Sequence, residues 1–472
     1  MLRRCLSRFE GAKRLEELCR GNRVVTRLAN GMRVLSYDDH TGVSGISLAA
    51  RIGTRYETDR TAGATAVLQA GTLLGNEKRD EGQLCRDLHA LGSSFRTSSE
   101  LREAVLWHIN VPRYQIRGGV EFLENVALHP LFAGDTFAKA REIAAEEAAL
   151  ADRDATRVCF ELIHRAAFGG VALGRPGLMV DPTVIERVDG ETVREFHAAL
   201  MQPERATLVA SGVSDHDGLV RAVEELFKWP ERPRRSLEYA QDIGYVGGEL
   251  LLANDKAPES VTKFQEKNLT HVGLCFKGIP LRHPDYFVYT MIQTMLGGGS
   301  TFSSGGPGKG MHTKLFREVV ARSGWLNGVE CVSAWYEKAG LIGLYGSAEH
   351  QFAKHLVKMM LYQAATIPER ITDRDVEMAR NQLLSQLVLL GEARDTALDE
   401  ASKLLLQHDT VTLPEDLMRG AEKVTLADFR RVSKTMLESA PTVVVYGNVA
   451  DQMPFEQVSV MLKEFGRRHG TG

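Results

Sequence analysis

The sequence predicts an α+β protein built twice: two homologous α+β domains, each a mixed, mostly antiparallel sheet packed on helices. Three observations carry that expectation. Strand-like and helix-like stretches come in groups rather than in single alternation, which is the pattern of an α+β arrangement and not of a doubly wound parallel sheet. One order of elements then begins again after Pro230–Arg235, a run of prolines, arginines and a glutamate that holds nothing apolar and reads as a linker. Finally, the two halves share segments. Ser47–Gly53, followed by a helical stretch from Thr61, parallels Gly273–Ile279, followed by one from Asp285; Thr207–Gly212 parallels Thr442–Gly447. A repeat this long is a duplicated domain rather than a solenoid. The expected boundaries are a segment 1–20, an N-terminal domain 21–229, a linker 230–243 and a C-terminal domain 244–472.

Size and composition fit this division. A chain of 472 residues exceeds one ordinary core, and implies roughly two to four domains. Hydrophobic residues at 43% and charged residues at 25% are ordinary for a globular protein. A net charge of −3 leaves no global basic field, so no nucleic-acid partner is expected. No apolar run approaches the ~20 residues that cross a bilayer. Cys5, Cys19, Cys85, Cys159, Cys275 and Cys331 are scattered without pairing or metal spacing and read as reduced thiols.

The N-terminus holds Arg3, Arg4 and Arg8 before any acid, with Leu2, Leu6 and Phe9 on one helical face, as in a mitochondrial targeting helix. Glu10, Glu16 and Glu17 confine that pattern to a short stretch, and a retained amphipathic terminal helix fits the same residues. Val24–Leu28 and Arg33–Tyr37 flank Asn30-Gly31, a hairpin turn signal. Ser44–Arg51 reads as a third strand, Thr61–Leu74 and Glu81–Leu91 as helices, and Ser93–Thr97 with Ala104–Val111 as a second strand pair. Helices are expected over Tyr114–Ala127, Asp135–Ala155, Thr156–Phe168 and Val184–Leu200, then a strand at Ala206–Val213 and a helix at His216–Phe227. The second half repeats the theme: strands Glu249–Leu252 and Thr270–Gly278, a helix Asp285–Leu296, and paired strands Trp325–Ser333 and Ala339–Ser347. Helices His350–Thr366, Asp373–Leu390, Ala393–Gln407 and Leu426–Leu437 precede a strand Thr442–Tyr446 and a last helix Phe455–Phe465.

Between the Asp285 helix and the Trp325 strand lies GGGSTFSSGGPGKG, residues 297–310. Glycine supplies no side chain and loses the most backbone freedom on folding, so such a stretch packs no core of its own. A long loop held between regular elements is usually functional, although its composition also fits a plain surface loop. A phosphate-binding P-loop is excluded, because Ser303 stands where the first glycine is needed and Gly310 where Ser or Thr is needed. A dinucleotide fingerprint fails at Phe302 and follows a helix instead of a strand.

The string Gly297, Gly298, Gly299, Phe302, Ser303, Gly305, Gly306, Pro307, Gly308, Lys309, Gly310, Met311 resembles the glycine-rich loop of the α-subunits of mitochondrial processing peptidase. Those subunits, with the core subunits of respiratory complex III, belong to the pitrilysin-type (M16) metallopeptidase family, whose two homologous α+β halves match the layout above. One departure is that Ser300 and Thr301 stand where a further glycine and a serine are usual. The resemblance implies that residues 297–310 bind presequences: a bare backbone slides against an extended peptide, and Phe302 offers an apolar contact. Lys309 would repel a basic presequence, so a solvated loop position or a cap on a helix C-terminus suits it better.

Active members of that family carry His-x-x-Glu-His on the helix after the third strand, two ligands on one helical face with a glutamate to activate water. Here those positions hold Ala66, Gln69 and Ala70. A methyl group does not ligate zinc, and a primary amide does not take a proton from water at neutral pH. Glu146 or Glu147 stands near the family's third ligand, but without its partners it reads as part of a solvated helix face with Glu142. His350 and His355, five apart, do not share a helical face. The expectation is a chain without catalytic residues, metal or cofactor that works inside an enzyme complex. The resemblance implies a heterodimer with a zinc-bearing β-type subunit, presequence peptides as ligands, and a place in the mitochondrial matrix or on the matrix side of the inner membrane. The dimer would act as a soluble processing peptidase or be integrated with other complex III subunits. The alternative is a purely structural core protein 2 of the cytochrome bc complex (ubiquinol-cytochrome c reductase).

Overall fold

The computed structural model describes residues 23–97, 102–177, 180–231, 244–253, 268–300, 311–407, 414–450 and 452–469. The expected targeting segment 1–20 and residues 232–243 of the expected linker lie outside them.

The chain opens on a hairpin of β1 (Val24–Arg27) and β2 (Arg33–Tyr37), where Gly31 at φ +93° takes the left-handed turn conformation. Then come β3 (Val43–Ala50), α1 (Ala64–Ala70), α2 (Glu81–Ala90), β4 (Ser94–Thr97), β5 (Val105–Pro112), α3 (Ile116–Leu128), α4 (Gly134–Ala151) and α5 (Ala155–Ala167). The stretch expected as one helix from Val184 to Leu200 is two, α6 (Pro182–Arg187) and α7 (Gly190–Leu200). Asp189 breaks it: its backbone is extended, and its carboxylate accepts from the Thr192 N–H to cap α7. β6 (Ala206–Ser211) and α8 (His216–Leu226) complete this stretch.

The second half runs β7 (Gly248–Ala253), β8 (Leu269–Lys277), α9 (Tyr286–Leu296), β9 (Gly298–Ser300), α10 (Lys314–Glu318), β10 (Leu326–Trp335), β11 (Gly340–Glu349) and α11 (Ala353–Arg370). It ends with α12 (Asp373–Glu392), α13 (Arg394–Gln407), α14 (Pro414–Glu422), α15 (Leu426–Leu437), β12 (Thr442–Gly447) and α16 (Phe455–His469).

Two six-stranded sheets result, ordered β1-β2-β6-β3-β5-β4 and β7-β12-β8-β11-β10-β9. Five strands correspond one to one, β2-β6-β3-β5-β4 with β7-β12-β8-β11-β10. In each set only the first pair is parallel, β2 with β6 and β7 with β12, and the rest is antiparallel. The segments that look alike in sequence therefore occupy like places: Ala49 pairs with Thr207 as Cys275 pairs with Thr442. The sheets differ at their ends, where the first adds the β1 hairpin strand and the second adds β9.

The compact units are not the two continuous halves on either side of the linker. One unit gathers 1–148, 180–240 and 388–416; the other gathers 149–179, 241–387 and 417–472. Packing explains the interleaving. In the first unit α3 sits on one sheet face, with Gly119 against Ile46 and Val111. The opposite face, carrying Leu35, Val209, Ala49 and Leu106, is covered by Leu398, Leu405 and Leu406 of α13. In the second unit α11 covers one face and α5 the other, where Cys159, Leu162 and Ile163 meet Cys275, Tyr345 and Val444. Gly273 makes room for α5, since a Cβ there would lie 2.5 Å from Ile163 Cδ1. Cys85, Cys159, Cys275 and Cys331 are free thiols, and burial pushes the Cys275 thiol up to about 12.

Candidate functional site

The helix on which the resemblance places the metal-ligand positions, α1, is well formed. Gly63, at φ +87°, turns the chain into α1, and the buried Glu57 carboxylate accepts from the Gly63 N–H (3.0 Å) and the Thr65 N–H (2.8 Å). A carboxylate there satisfies donors the helix leaves orphaned and lies favourably against its dipole. Ala64, Thr65 and Val67 face the interior, and Val67, Leu68 and Gly71 join Phe137 and Ala140 of α4 and Val193 of α7 around a small apolar pocket. Ala66, Gln69 and Ala70 are half-buried on this fixed scaffold.

Zinc does not fit these residues. Ala66 and Ala70, which the resemblance places at the ligand positions, offer only methyl groups, and no group of three or more His, Cys, Asp or Glu placed to hold a metal ion occurs among the described residues. Glu142, Glu146 and Glu147 lie exposed on α4. His350 Nδ1 pairs with Thr270 Oγ1 at 2.8 Å, and the His355 ring packs edge-on against Trp325 at 4.9 Å.

The glycine-rich stretch divides. Phe302, Ser303, Gly305, Gly306, Pro307, Gly308, Lys309 and Gly310 lie outside the described residues. Gly297, Gly298 and Gly299 are described, and they build the base of the loop. Gly297, at φ +53°, ends α9: its N–H donates to the Gln293 carbonyl (2.8 Å), and its own carbonyl accepts from the Cys331 N–H (2.7 Å). A Cβ on Gly297 would lie 2.3 Å from Thr313 Cγ2, and one on Gly298 would lie 2.1 Å from the Val329 carbonyl oxygen. Gly298 to Ser300 then form the edge strand β9, with Gly298 opposite Glu330 and Gly299 opposite Val329.

On the far side of the loop the chain returns to the same point. The Gly298 N–H donates to Thr313 Oγ1 at 3.2 Å, so the two ends touch in a closed neck. The next residue, Lys314, opens α10 and is buried at 7% exposure. Its ammonium donates to the Arg370 carbonyl (3.2 Å) and lies 3.3 Å from Glu318 Oε1 and 3.7 Å from Asp375 Oδ2. Arg370 holds the other oxygen of Glu318 at 2.7 Å, and Arg317 stands 3.6 Å from Asp375. Burial alone would raise the Asp375 carboxyl; bonds from the Thr372 hydroxyl and N–H, with the Lys314 and Arg317 charges, hold it below its ordinary value. His312 adds a bond to Gln382 at 3.0 Å.

Sequence reasoning missed Thr313, Lys314, Glu318 and Asp375. Two signals for them were present: the Lys314–Glu318 spacing of one helical turn, and the Thr372-x-x-Asp375 pattern of a helix start.

With this geometry in hand, comparison with known families is decisive. A model described as "Insulinase (Peptidase family M16)" matches residues 33–181, which include α1, and one described as "Peptidase M16 inactive domain" matches 187–383, which include the loop. The chain belongs to the M16 peptidase family. Relatives within that family span nearly all of it. The "Probable mitochondrial-processing peptidase subunit alpha" of Schizosaccharomyces pombe is 24% identical, over 90% of this chain and 85% of the relative. The human "Mitochondrial-processing peptidase subunit alpha" is also 24% identical, over 93% and 84%. A "Mitochondrial-processing peptidase subunit beta" of Dictyostelium discoideum reaches 24% over 90% and 89%. Identity therefore does not separate the two subunit types, and the residues on α1 and around the neck must. A chain of the solved "Complex III2 from Candida albicans, Inz-5 bound" shares the fold, with a TM-score of 0.76, 15% identity, and coverage of 93% of this chain and 99% of that one. Among the described residues no helix is long and apolar enough to cross a membrane.

Proposed function

We propose that this chain is the non-catalytic, α-type subunit of a mitochondrial processing peptidase. It binds presequence peptides through residues 297–310 and presents them to a zinc-bearing β-type subunit, in the matrix or on the matrix side of the inner membrane. What supports this reading is α1 itself, a well-formed helix capped by Glu57 and packed on α4, with methyl groups where the resemblance places the zinc ligands. Such a chain contributes shape and grip while its partner supplies the metal. The loop's base supports the same reading, because a neck whose two flanks are already fixed spares a bound peptide the cost of ordering those flanks.

The test is a reconstituted dimer with the β-type partner. Residues 301–310 are exchanged for a neutral Gly/Ser segment of the same length, leaving β9 and Thr313 in place. The expected result is a dimer that assembles normally and holds one zinc per two chains, with KM for an internally quenched presequence peptide raised at least about tenfold, the loss of roughly 1.4 kcal/mol of binding. Unchanged KM would overturn the reading. Copurification separates the two settings: a chain isolated with cytochrome b and the Rieske protein serves complex III, and one isolated with a single β-type partner serves a soluble peptidase.

A further inference from the structure

We propose that Glu330 is an anionic contact for an arginine of the presequence. This rests on the reading above and deepens it, by naming a residue outside the loop that meets the substrate's charge. A basic ligand calls for a carboxylate, and residues 297–310 contain none. A counter-charge in this chain therefore has to come from elsewhere. Glu318, Asp375 and Glu330 stand near the loop's base. Glu318 is held by Lys314 and Arg370, and Asp375 by Lys314 and Arg317. Glu330 differs from both. It is exposed, and its carboxylate makes no hydrogen bond or ion pair among the described residues.

The sheet makes this carboxylate both held and reachable. Residues paired across neighbouring strands share a sheet face. Glu330, on β10, pairs with Gly298 of β9 on one side and with Tyr345 of β11 on the other. Towards β9 the neighbouring positions of its face are Gly298, Gly328 and Ser300, which carry little or no side chain. Towards β11 stands Tyr345, itself fixed. Its hydroxyl pairs with His271 Nδ1 at 2.7 Å and with Thr156 Oγ1 at 2.9 Å, and Phe160 stacks on its ring with the centroids 5.6 Å apart. A rigid neighbour on one side limits the rotamers open to Glu330, so a ligand has less side-chain freedom to remove. Although exposed, the carboxyl is partly desolvated by its surroundings, which raises it above its ordinary value with no partner to oppose the shift. A guanidinium brought against it supplies the missing charge together with two parallel N–H donors, a geometry that an ammonium does not offer.

The experiment uses the assembled dimer and two quenched presequence peptides, one with its arginines and one with each arginine replaced by citrulline, a neutral isostere. Glu330→Gln keeps the shape of the side chain and removes its charge. For the arginine peptide it should raise KM about fivefold and leave kcat within about twofold. For the citrulline peptide the variant and the wild type should give the same KM, because the charge that Glu330 meets is gone. Unchanged KM for the arginine peptide would overturn the contact. An equal rise with both peptides would overturn it too, by showing a general structural effect. The exchange of residues 301–310 separates this contact from the reading beneath it. If the exchange raises KM while Glu330→Gln does not, the presequence reading stands and the contact falls. If the exchange leaves KM unchanged, the reading of the loop falls, and the difference between the arginine and citrulline peptides alone decides Glu330.

Discussion

At the scale of single residues, the glycines of 297–299 do different jobs although they look alike in sequence. Gly298 combines φ +126° with a Cβ position 2.1 Å from the Val329 carbonyl and 2.5 Å from Glu330 Cα, so any side chain there meets backbone that does not yield. Gly299, at φ +155°, has only Phe316 Cδ2 near, at 3.8 Å. Gly298→Ala should therefore cost about 3 kcal/mol or more, through strain and loss of the β9–β10 pairing, and Gly299→Ala about 1 kcal/mol. Thermal unfolding of the two variants side by side measures this, and the expected order is Gly298→Ala well below Gly299→Ala. The sequence offers these glycines alike as substrate-binding residues. The reason Gly297 and Gly298 must be glycine lies in Thr313 and Val329, distant positions that local composition does not reveal.

At the scale of elements, most strands and helices were legible because apolar spacing and turn residues are local signals. Asn30-Gly31 marked the first hairpin, and the like segments around Ser47 and Gly273 marked corresponding central strands. The break at Asp189 was harder, since an apolar period continues across it and only the capping carboxylate interrupts the helix. The partner of each helix was not legible at all. An amphipathic stripe says that α5 and α13 bury a face, not against which sheet. The structure puts α5 on β8, and the contact point is Gly273, whose absent side chain admits Ile163. Gly273→Ala should force α5 outward at a cost of about 2 kcal/mol, and Ile163→Ala alone should cost about 2–4 kcal/mol by leaving a cavity. The double variant should lose less than the sum by at least about 1 kcal/mol, because the new methyl fills part of the space Ile163 vacates. Additive losses, read from the thermal unfolding of the single and double variants, would mean that the two residues do not meet.

At the scale of the whole molecule, the duplication and the interleaving of the chain pull against each other. The matched strand orders make each sheet look like an independent domain, and the run at 230–235 looks like the joint between them. Yet the first sheet relies for one face on Leu398, Leu405 and Leu406, which lie beyond that joint, and the second relies on Cys159, Leu162 and Ile163, which lie before it. Fully burying each such leucine or isoleucine contributes about 1.5–3 kcal/mol, so losing the three leucines of the first sheet is comparable with the total stability of an ordinary domain, and losing Leu162 and Ile163 removes a large part of it. Cutting the chain after Arg235 should accordingly give two fragments, 1–235 and 236–472, that are insoluble or lack cooperative unfolding when expressed alone. Expressed together, with a tag on one, they should copurify in a one-to-one ratio and regain a single cooperative transition. Either fragment folding alone as a soluble monomer with a sharp melting transition would show that its sheet does not need the helix from the other side of the cut.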